Sequence, residues 1–328
     1  MRAIVVTDHG GPEVLELQDA PDPTPGPGEL LVDVEAIGVN YRDVYEREGK
    51  GTHVSETPHP AGVEGAGTVS AVGEGVTRFG EGDRVVWSNA PGSYAEQVLV
   101  SEDAAVGLPD GVSSELAAAA ILQGTTAHYL ATSTYPIQEG DWVIVHAAAG
   151  GVGLLLTQIA KRRGGRVIAT TSTEEKAALA RGAGADETIG YDGFAERARE
   201  LTGGEGVHAV YDGIGEATFD ESIAALRPRG YMVLYGAASG PPPPVEIAVL
   251  NANSLFLTRP TLAHYGQTGD ELRSRAGELL EWIAAGELDV RIGARYALED
   301  AARAQSDLES RGTTGKLILT PRRSTWAG

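Results

Sequence analysis

Apolar and polar positions alternate in short runs over roughly the first 120 residues, at 3–6, 29–37, 67–72 and 84–87, with turn residues between the runs. Alternation of this period predicts β-strands. Residues 19–28, DAPDPTPGPG, are too broken by Pro and Gly for a helix and predict a loop. Gly-Asp pairs (Gly82-Asp83 and Gly140-Asp141) stand just before apolar runs, as turns entering strands do. The pattern then changes. Residues 113–130 are rich in Ala and Leu, with Ser113 or Ser114 as N-cap, and predict a helix. From Trp142 onward, apolar runs at 142–146, 166–170, 209–211, 231–235 and 254–257 alternate with helical stretches at 152–163, 174–180, 194–201 and 217–226. That order predicts a parallel sheet with right-handed crossovers. A helix at 270–285 and a strand at 316–320 follow, and the prolines at 241–244 predict a stiff extended loop.

Composition narrows the classes. A chain of 328 residues, 42% hydrophobic, has room for two domains with separate cores. Its formal charge of −20 repels nucleic acid and anionic lipid, so neither is an expected partner. No run approaches the roughly 18 apolar residues of a membrane helix. Residues 1–7 read as the start of a strand rather than as a signal peptide, so a cytoplasmic location is expected. The chain has no cysteine. Disulfides, thiolate nucleophiles, iron–sulfur clusters and cysteine-ligated zinc are therefore excluded.

The motif that points to chemistry is VIVHAAAGGVG at 143–153. An apolar strand runs into a small-residue turn, and an amphipathic helix follows. Against the G-x-G-x-x-G template Ala148 replaces the first Gly, while Gly150 allows close approach of a diphosphate and Gly153 close helix packing. The helix N-terminus offers unpaired N–H groups and a positive dipole end, a means for an acidic protein to hold phosphates. An ordinary β-turn-α corner fits the same pattern. The next strand supplies context, at the right distance for a βαβ unit. It ends Ala169-Thr-Thr-Ser-Thr173 without the acid that binds a ribose 2′-OH, and Lys176 follows. Hydroxyls and a cation suit the 2′-phosphate of NADPH. Glu174 and Glu175 either oppose that phosphate or point to solvent as first-turn helix acids.

Several segments together resemble the medium-chain dehydrogenase/reductase superfamily, most closely its zinc-independent, zeta-crystallin-like NADPH:quinone oxidoreductase branch. They are HGGPEVL at 9–15, AIGVNYRDVY at 36–45, VEGAG at 63–67, GEGDRV at 80–85, AAAGGVG at 147–153, YDGIG at 211–215 and TRP at 258–260. The resemblance implies an α/β protein in two parts. A GroES-like β-rich catalytic domain would span 1–124 and 262–328, and a Rossmann domain with a doubly wound parallel sheet would span 125–261. It also implies a cleft active site, and a homodimer formed through residues 254–259. Zinc-dependent relatives carry a His-Glu pair where this chain has Val63-Glu64. Without that His and without a thiolate no metal site is expected, and Glu64 reads as a structural hydrogen-bonding carboxylate.

An acceptor that is already electrophilic needs no metal, which favours hydride transfer from NADPH to a quinone. The alternatives are reduction of the C=C bond of an enal, enone or enoyl thioester, and NADPH binding without turnover. The resemblance places Asn40, Tyr45 and Thr126 near the nicotinamide and substrate. Read from the residues alone, Asn40 fits a helix cap, Tyr45 core packing and Thr126 helical packing. Gly150, Gly151 and Val152 are expected at the pyrophosphate. Thr171, Ser172, Lys176 and Tyr191 are expected around the 2′-phosphate and adenosine. Gly213, Tyr235 and Lys316 match strand-end or tail positions near the cofactor, although Lys316 also fits a solvated edge-strand lysine. Gln123 departs from relatives that carry Lys there. Loops 53–59 and 241–244 would shape the pocket.

Overall fold

The computed structural model describes residues 1–51 and 54–321; His53 and the tail 322–328 lie outside the described residues. The chain opens with β1 (Arg2–Val6), β2 (Leu15–Asp19), β3 (Glu29–Val39), α1 (Tyr41–Arg47), β4 (His59–Pro60), β5 (Gly65–Val72), β6 (Arg84–Trp87), β7 (Gln97–Ser101), β8 (Val106–Gly107) and α2 (Ser114–Tyr129). Next come β9 (Trp142–Val145), α3 (Gly151–Arg162), β10 (Arg166–Thr170), α4 (Glu174–Gly182), β11 (Glu187–Ile189), α5 (Phe194–Leu201) and β12 (Val207–Asp212). Then follow α6 (Phe219–Ala225), β13 (Leu226–Leu234), α7 (Ile247–Asn251), β14 (Phe256–Thr258), α8 (Gly269–Ala284), β15 (Ile292–Ala297), α9 (Ala301–Glu309) and β16 (Lys316–Thr320).

Two compact units result, residues 1–122 with 268–328, and residues 123–267, the division falling within α2. In the first unit a sheet runs β15-β16-β3-β5-β6-β8, with β7 also paired to β3, beside a small β2-β1-β4 sheet. Pairing around β3 is antiparallel, with Ile37 opposite Gly65 on one side and Leu319 on the other. Leu30, Val32, Ile37, Trp87, Tyr94 and Leu319 fill its core.

The second unit is a six-stranded parallel sheet in the order β11-β10-β9-β12-β13-β14. Numbered within the unit this is 3-2-1-4-5-6, the doubly wound order whose direction of winding reverses between its first and fourth strands, here β9 and β12. β9 reads WVIV because a central parallel strand is covered on both faces. Ile144, Ile168, Phe194, Val210, Met232 and Leu234 pack around it.

Several elements carry little periodic signal. β2 buries one residue of five and β11 none, so alternation does not mark them. α1 is only seven residues long yet buries Asp43, Val44 and Arg47, so tertiary contacts rather than an apolar stripe define it. Arg47, fully buried, donates from Nε to the Gly10 carbonyl (3.0 Å), from Nη1 to Gln305 Oε1 (2.9 Å), and from both terminal nitrogens to Glu309 (3.0 Å each). It ties the 9–11 turn and α1 to α9. Arg47→Met should therefore cost about 3 kcal/mol in urea unfolding, because Gln305 and Glu309 lose their partner. A loss below about 1 kcal/mol would rank the cluster with ordinary surface ion pairs.

Candidate functional site

The small-residue corner of the second unit begins where β9 ends. Ala147 takes φ of +48°, a conformation uncommon for a residue with a Cβ, and its N–H donates to the Tyr191 hydroxyl (3.2 Å). Gly150 caps α3 in an extended conformation, so the amides of Gly151, Val152 and Gly153 lie in the first turn, where no carbonyl of the helix precedes them. A Cβ on Gly153 would stand 2.5 Å from the Ala147 carbonyl oxygen, so only glycine lets α3 press onto the turn. Gly151 has a different reason. A Cβ there would collide with the Gln123 side chain, whose Oε1 is buried without a hydrogen-bond partner among the described residues.

Beyond β10 a cavity of about 230 Å³ opens among Thr171, Ser172, Thr173, Glu174, Thr188 and Ile189. The Lys176 ammonium lies 3.5 Å from Ser172 Oγ. Glu174, one of the two acids that could oppose a phosphate, is ion-paired with Arg181 instead, and Arg181 also donates to Thr188 Oγ1 (2.8 Å). Hydroxyls and the Glu174 side chain thus line the cavity, while Lys176 and Arg181 reach its lining residues Ser172, Thr188 and Glu174. At the end of β12, a Cβ on Gly213 would strike the Tyr235 ring at 2.8 Å, so the two residues are in close contact.

Beneath these loops lies a polar network without solvent exposure. His146 Nδ1 is 2.8 Å from Thr170 Oγ1, and Nε2 is 2.9 Å from Ser222 Oγ. Ser222 and Thr218 both donate to Asp212 Oδ2 (3.3 and 2.8 Å), while Asp212 Oδ1 accepts the N–H groups of Ile214 and Gly215 (2.7 and 3.0 Å). Burial lowers the His146 pKa to about 4 against the pull of Asp212 and Glu221, so the ring is neutral at ordinary pH. The carboxylate bonds the serine rather than the histidine, so this is not a nucleophile–base–orienter arrangement.

The first unit holds a second buried cluster. Lys316, 1% exposed, donates to Glu64 Oε2 (2.6 Å) and to Asn40 Oδ1 (2.7 Å). Asn40 Nδ2 donates to the same Glu64 oxygen (2.7 Å), and the Leu122 amide donates to Glu64 Oε1 (2.7 Å). Lys316 is therefore no solvated edge lysine. Its two carboxylate and amide partners lie within its own unit, and with Glu64 it fixes which way the Asn40 amide points. Asn40 also starts α1, where its N–H donates to Asp43 Oδ2 (2.9 Å), and Tyr94 donates to that same oxygen (2.8 Å). Burial raises the Asp43 pKa to about 6, with those two bonds opposing the shift. Tyr45 lies half-buried on α1 against Tyr41, ring centroids 6.1 Å apart. Thr126 is buried in the part of α2 that belongs to the second unit. Among the described residues no group of three or more His, Cys, Asp or Glu side chains is placed to hold a metal.

The nucleotide-side expectations thus gather in the second unit at adjoining strand ends: Gly150, Gly151 and Val152; Thr171, Ser172 and Lys176; Tyr191; Gly213 and Tyr235. Asn40 and Lys316 come together in the first unit. Sequence reasoning does not find Arg181, Asp212 or the His146 network. For Asp212 the signal is an acid closing an apolar strand just before a Gly-rich turn.

Known proteins are similar to this chain over most of its length. The family profile described as "Alcohol dehydrogenase GroES-like domain" matches residues 26–110, and the one described as "Zinc-binding dehydrogenase" matches residues 151–285. A quinone oxidoreductase of Pseudomonas aeruginosa is 45% identical over 317 residues, which is 95% of this chain and 97% of that protein. A mycobacterial protein solved in complex with NADPH is 52% identical with a TM-score of 0.95, covering 98% of this chain and 100% of its own. The Escherichia coli quinone oxidoreductase, also solved with NADPH, is 40% identical with a TM-score of 0.94 and coverage of 98% and 100%.

Two consequences of the geometry can be measured. Lys316→Met strands the fully buried Glu64 carboxylate and should cost about 4 kcal/mol in urea unfolding, with more than half regained on adding Glu64→Gln. Additive losses would show that the two charges do not depend on each other. The folded protein keeps the Asp43 proton up to about pH 6, while the unfolded chain releases it near pH 3.8. The stabilising contribution of Asp43 is complete below pH 4 and disappears as pH rises to 6. Relative to Asp43→Asn, the unaltered protein should lose roughly 3 kcal/mol between those limits. Parallel stability–pH curves would refute the assignment.

Proposed function

The chain belongs to the zeta-crystallin-like quinone oxidoreductases of the medium-chain dehydrogenase/reductase superfamily, and on that premise we propose that it reduces quinones with NADPH and without a metal ion. The observation that carries the reading is the end of β10. It offers Thr171 and Ser172 in the lining of a cavity, with Lys176 beside Ser172 and the lining acid Glu174 ion-paired to Arg181, and no acid closes the strand itself, beside the Gly150 corner of a 3-2-1-4-5-6 sheet. The donor chemistry fits NADPH: first-turn amides for the diphosphate, hydroxyls and a cation for the 2′-phosphate, and Arg181 holding Glu174.

Bound NADPH supplies the hydride. We assign Gly150, Gly151 and Val152 to its diphosphate and Thr171, Ser172 and Lys176 to its 2′-phosphate. Tyr191 flanks the adenosine, and Gly213 and Tyr235 line the cofactor farther along. Residues 123–267 are on this reading the NADPH-binding domain, and 1–122 with 268–328 the catalytic domain. Asn40, its Nδ2 engaged by Glu64 and the Gly38 carbonyl and its direction set by Lys316, accepts a hydrogen bond at Oδ1 from the carboxamide N–H. Lys316 acts through Asn40 and through its positive field rather than as a direct ligand. Tyr45 stacks on or hydrogen-bonds the acceptor, and Thr126 contacts the nicotinamide. A quinone delocalises the incoming charge over its ring and oxygens, so positioning and exclusion of water carry most of the catalysis. The donor set supports chemistry without a metal, since the chain has no cysteine and position 63 is Val.

We also propose a homodimer joined along β14. Among the described residues this strand is paired on one side only, by β13, and Phe256 on it and Ile247 on α7 are 49% and 82% exposed. A cytoplasmic location fits a cysteine-free chain in which no helix among the described residues is long and apolar enough to cross a membrane.

NADPH should bind at least tenfold more tightly than NADH, and Lys176→Ala should remove about that factor. Equal affinities would sink the 2′-phosphate assignment. NADPH oxidation should be seen with 1,4-benzoquinone or 9,10-phenanthrenequinone; turnover confined to enals or enoyl thioesters would move the substrate to conjugated C=C bonds. Phe256→Lys should give a monomer in light scattering, and an unchanged mass would rule out the β14 interface.

A further inference from the structure

Four loops of the second unit leave the sheet at the same edge, after β9, β10, β12 and β13, and backbone bonds join them in pairs. The Ala148 N–H donates to the Thr170 carbonyl (3.2 Å), His146 N–H to that of Tyr211 (3.1 Å), and Tyr235 N–H to that of Asp212 (2.8 Å). One side-chain chain crosses three of these strand ends. Thr170 closes β10, directly before Thr171 and Ser172. His146 follows β9, directly before the Gly-rich turn. Asp212 closes β12, directly before Gly213.

The hydrogen bonds of this chain have one consistent direction. The Ser222 hydroxyl proton goes to the Asp212 carboxylate, so Ser222 Oγ accepts from His146 Nε2–H. Nδ1 then carries no proton and accepts from Thr170 Oγ1–H. The Nε2–H tautomer is thereby selected by a charge two bonds away. Every member is buried: Thr170, His146, Ser222 and Asp212 each have 0% exposure. Rotating any one group leaves a buried donor or acceptor unmatched, which is costly. The ring itself is wedged edge-on by Phe194 (centroids 4.8 Å apart) and lies beside Tyr191 (6.2 Å).

We propose that His146 is a positioning residue that couples the strand end leading to the 2′-phosphate loop, at Thr170, to the 212–215 turn, so that both halves of one NADPH are held in a single fixed spacing. The proposal rests on the NADPH reading given above. His146 need not touch the cofactor; it acts through Thr170 on one side and through Ser222 and Asp212 on the other. Asp212 transmits the constraint, because its second oxygen holds the N–H groups of Ile214 and Gly215.

The test compares whole cofactor with a fragment. Adenosine 2′,5′-bisphosphate carries only the half that reaches the 2′-phosphate loop. In His146→Phe, and independently in Ser222→Ala, NADPH should bind about tenfold more weakly while the bisphosphate changes by less than about twofold. The double variant should be no weaker than either single one, since both cut the same chain. His146→Gln, which keeps a donor and an acceptor, should recover part of the NADPH affinity. Ser222→Ala removes one hydroxyl oxygen and keeps the test open if His146→Phe does not fold. Equal losses for both ligands, or losses that multiply in the double variant, would overturn the coupling and leave His146 a packing residue. If the unaltered protein bound neither NADPH nor the bisphosphate, the cofactor reading would fall first and this proposal with it.

Discussion

A carboxylate with no exposed surface keeps its charge only where a cation and several donors meet it at once. Glu64 is such a group, and the first unit is organised around meeting it. Lys316 comes from β16, Asn40 from the end of β3, and the Leu122 amide from α2. Gly38, on the neighbouring strand, has no side chain because a Cβ would occupy the position of the carboxylate. The same pair that neutralises Glu64 also removes the rotational freedom of the Asn40 amide. A stability requirement and the orientation of the side chain proposed to meet the cofactor are thus met by one arrangement of atoms.

The second unit solves a different electrostatic problem. The whole chain carries −20, yet it must hold a ligand with several phosphate charges. On the proposed reading it would do so with short-range devices: first-turn amides of α3, hydroxyls at the end of β10, and one lysine. The acid nearest the cavity, Glu174, is engaged by Arg181. Fields of distant surface carboxylates are screened within about 8 Å at physiological salt, so local donors decide. Below the loops, His146 and Asp212 show the same economy of charge. One buried carboxylate orients four donors, and burial keeps the histidine neutral against its pull.

Local features made much of this legible in the sequence. Strands such as β6, β10 and β16 and helix α5 follow directly from periodicity. The glycine corner is legible because its residues are contiguous and backbone conformation demands them. Glu64 is legible as structural because its neighbour at 63 is Val and no thiolate exists. What is not legible is pairing at a distance. Lys316 follows a glycine near the end of the chain and reads as a surface lysine, since its partners stand 252 and 276 positions away. Arg47 reads as a helix-end cation for the same reason, its partners lying on α9. His146 stands inside an apolar run and gives no sign of Ser222. β2 and β11, largely or wholly unburied, lack the alternation that reveals strands.

The separation of Glu64 from Lys316 bears on how the protein is made. At about 10 residues per second, a ribosome adds Lys316 roughly 25 seconds after Glu64. Throughout that interval the nascent first unit lacks both its cation and strand β16, and for roughly the last 5 seconds of it residues 123–267 are already synthesised in full. All strands of the second unit are therefore made before the first unit's sheet can be completed. A chain cut short before Lys316 would keep every strand of its second unit while Glu64 stayed without its cation.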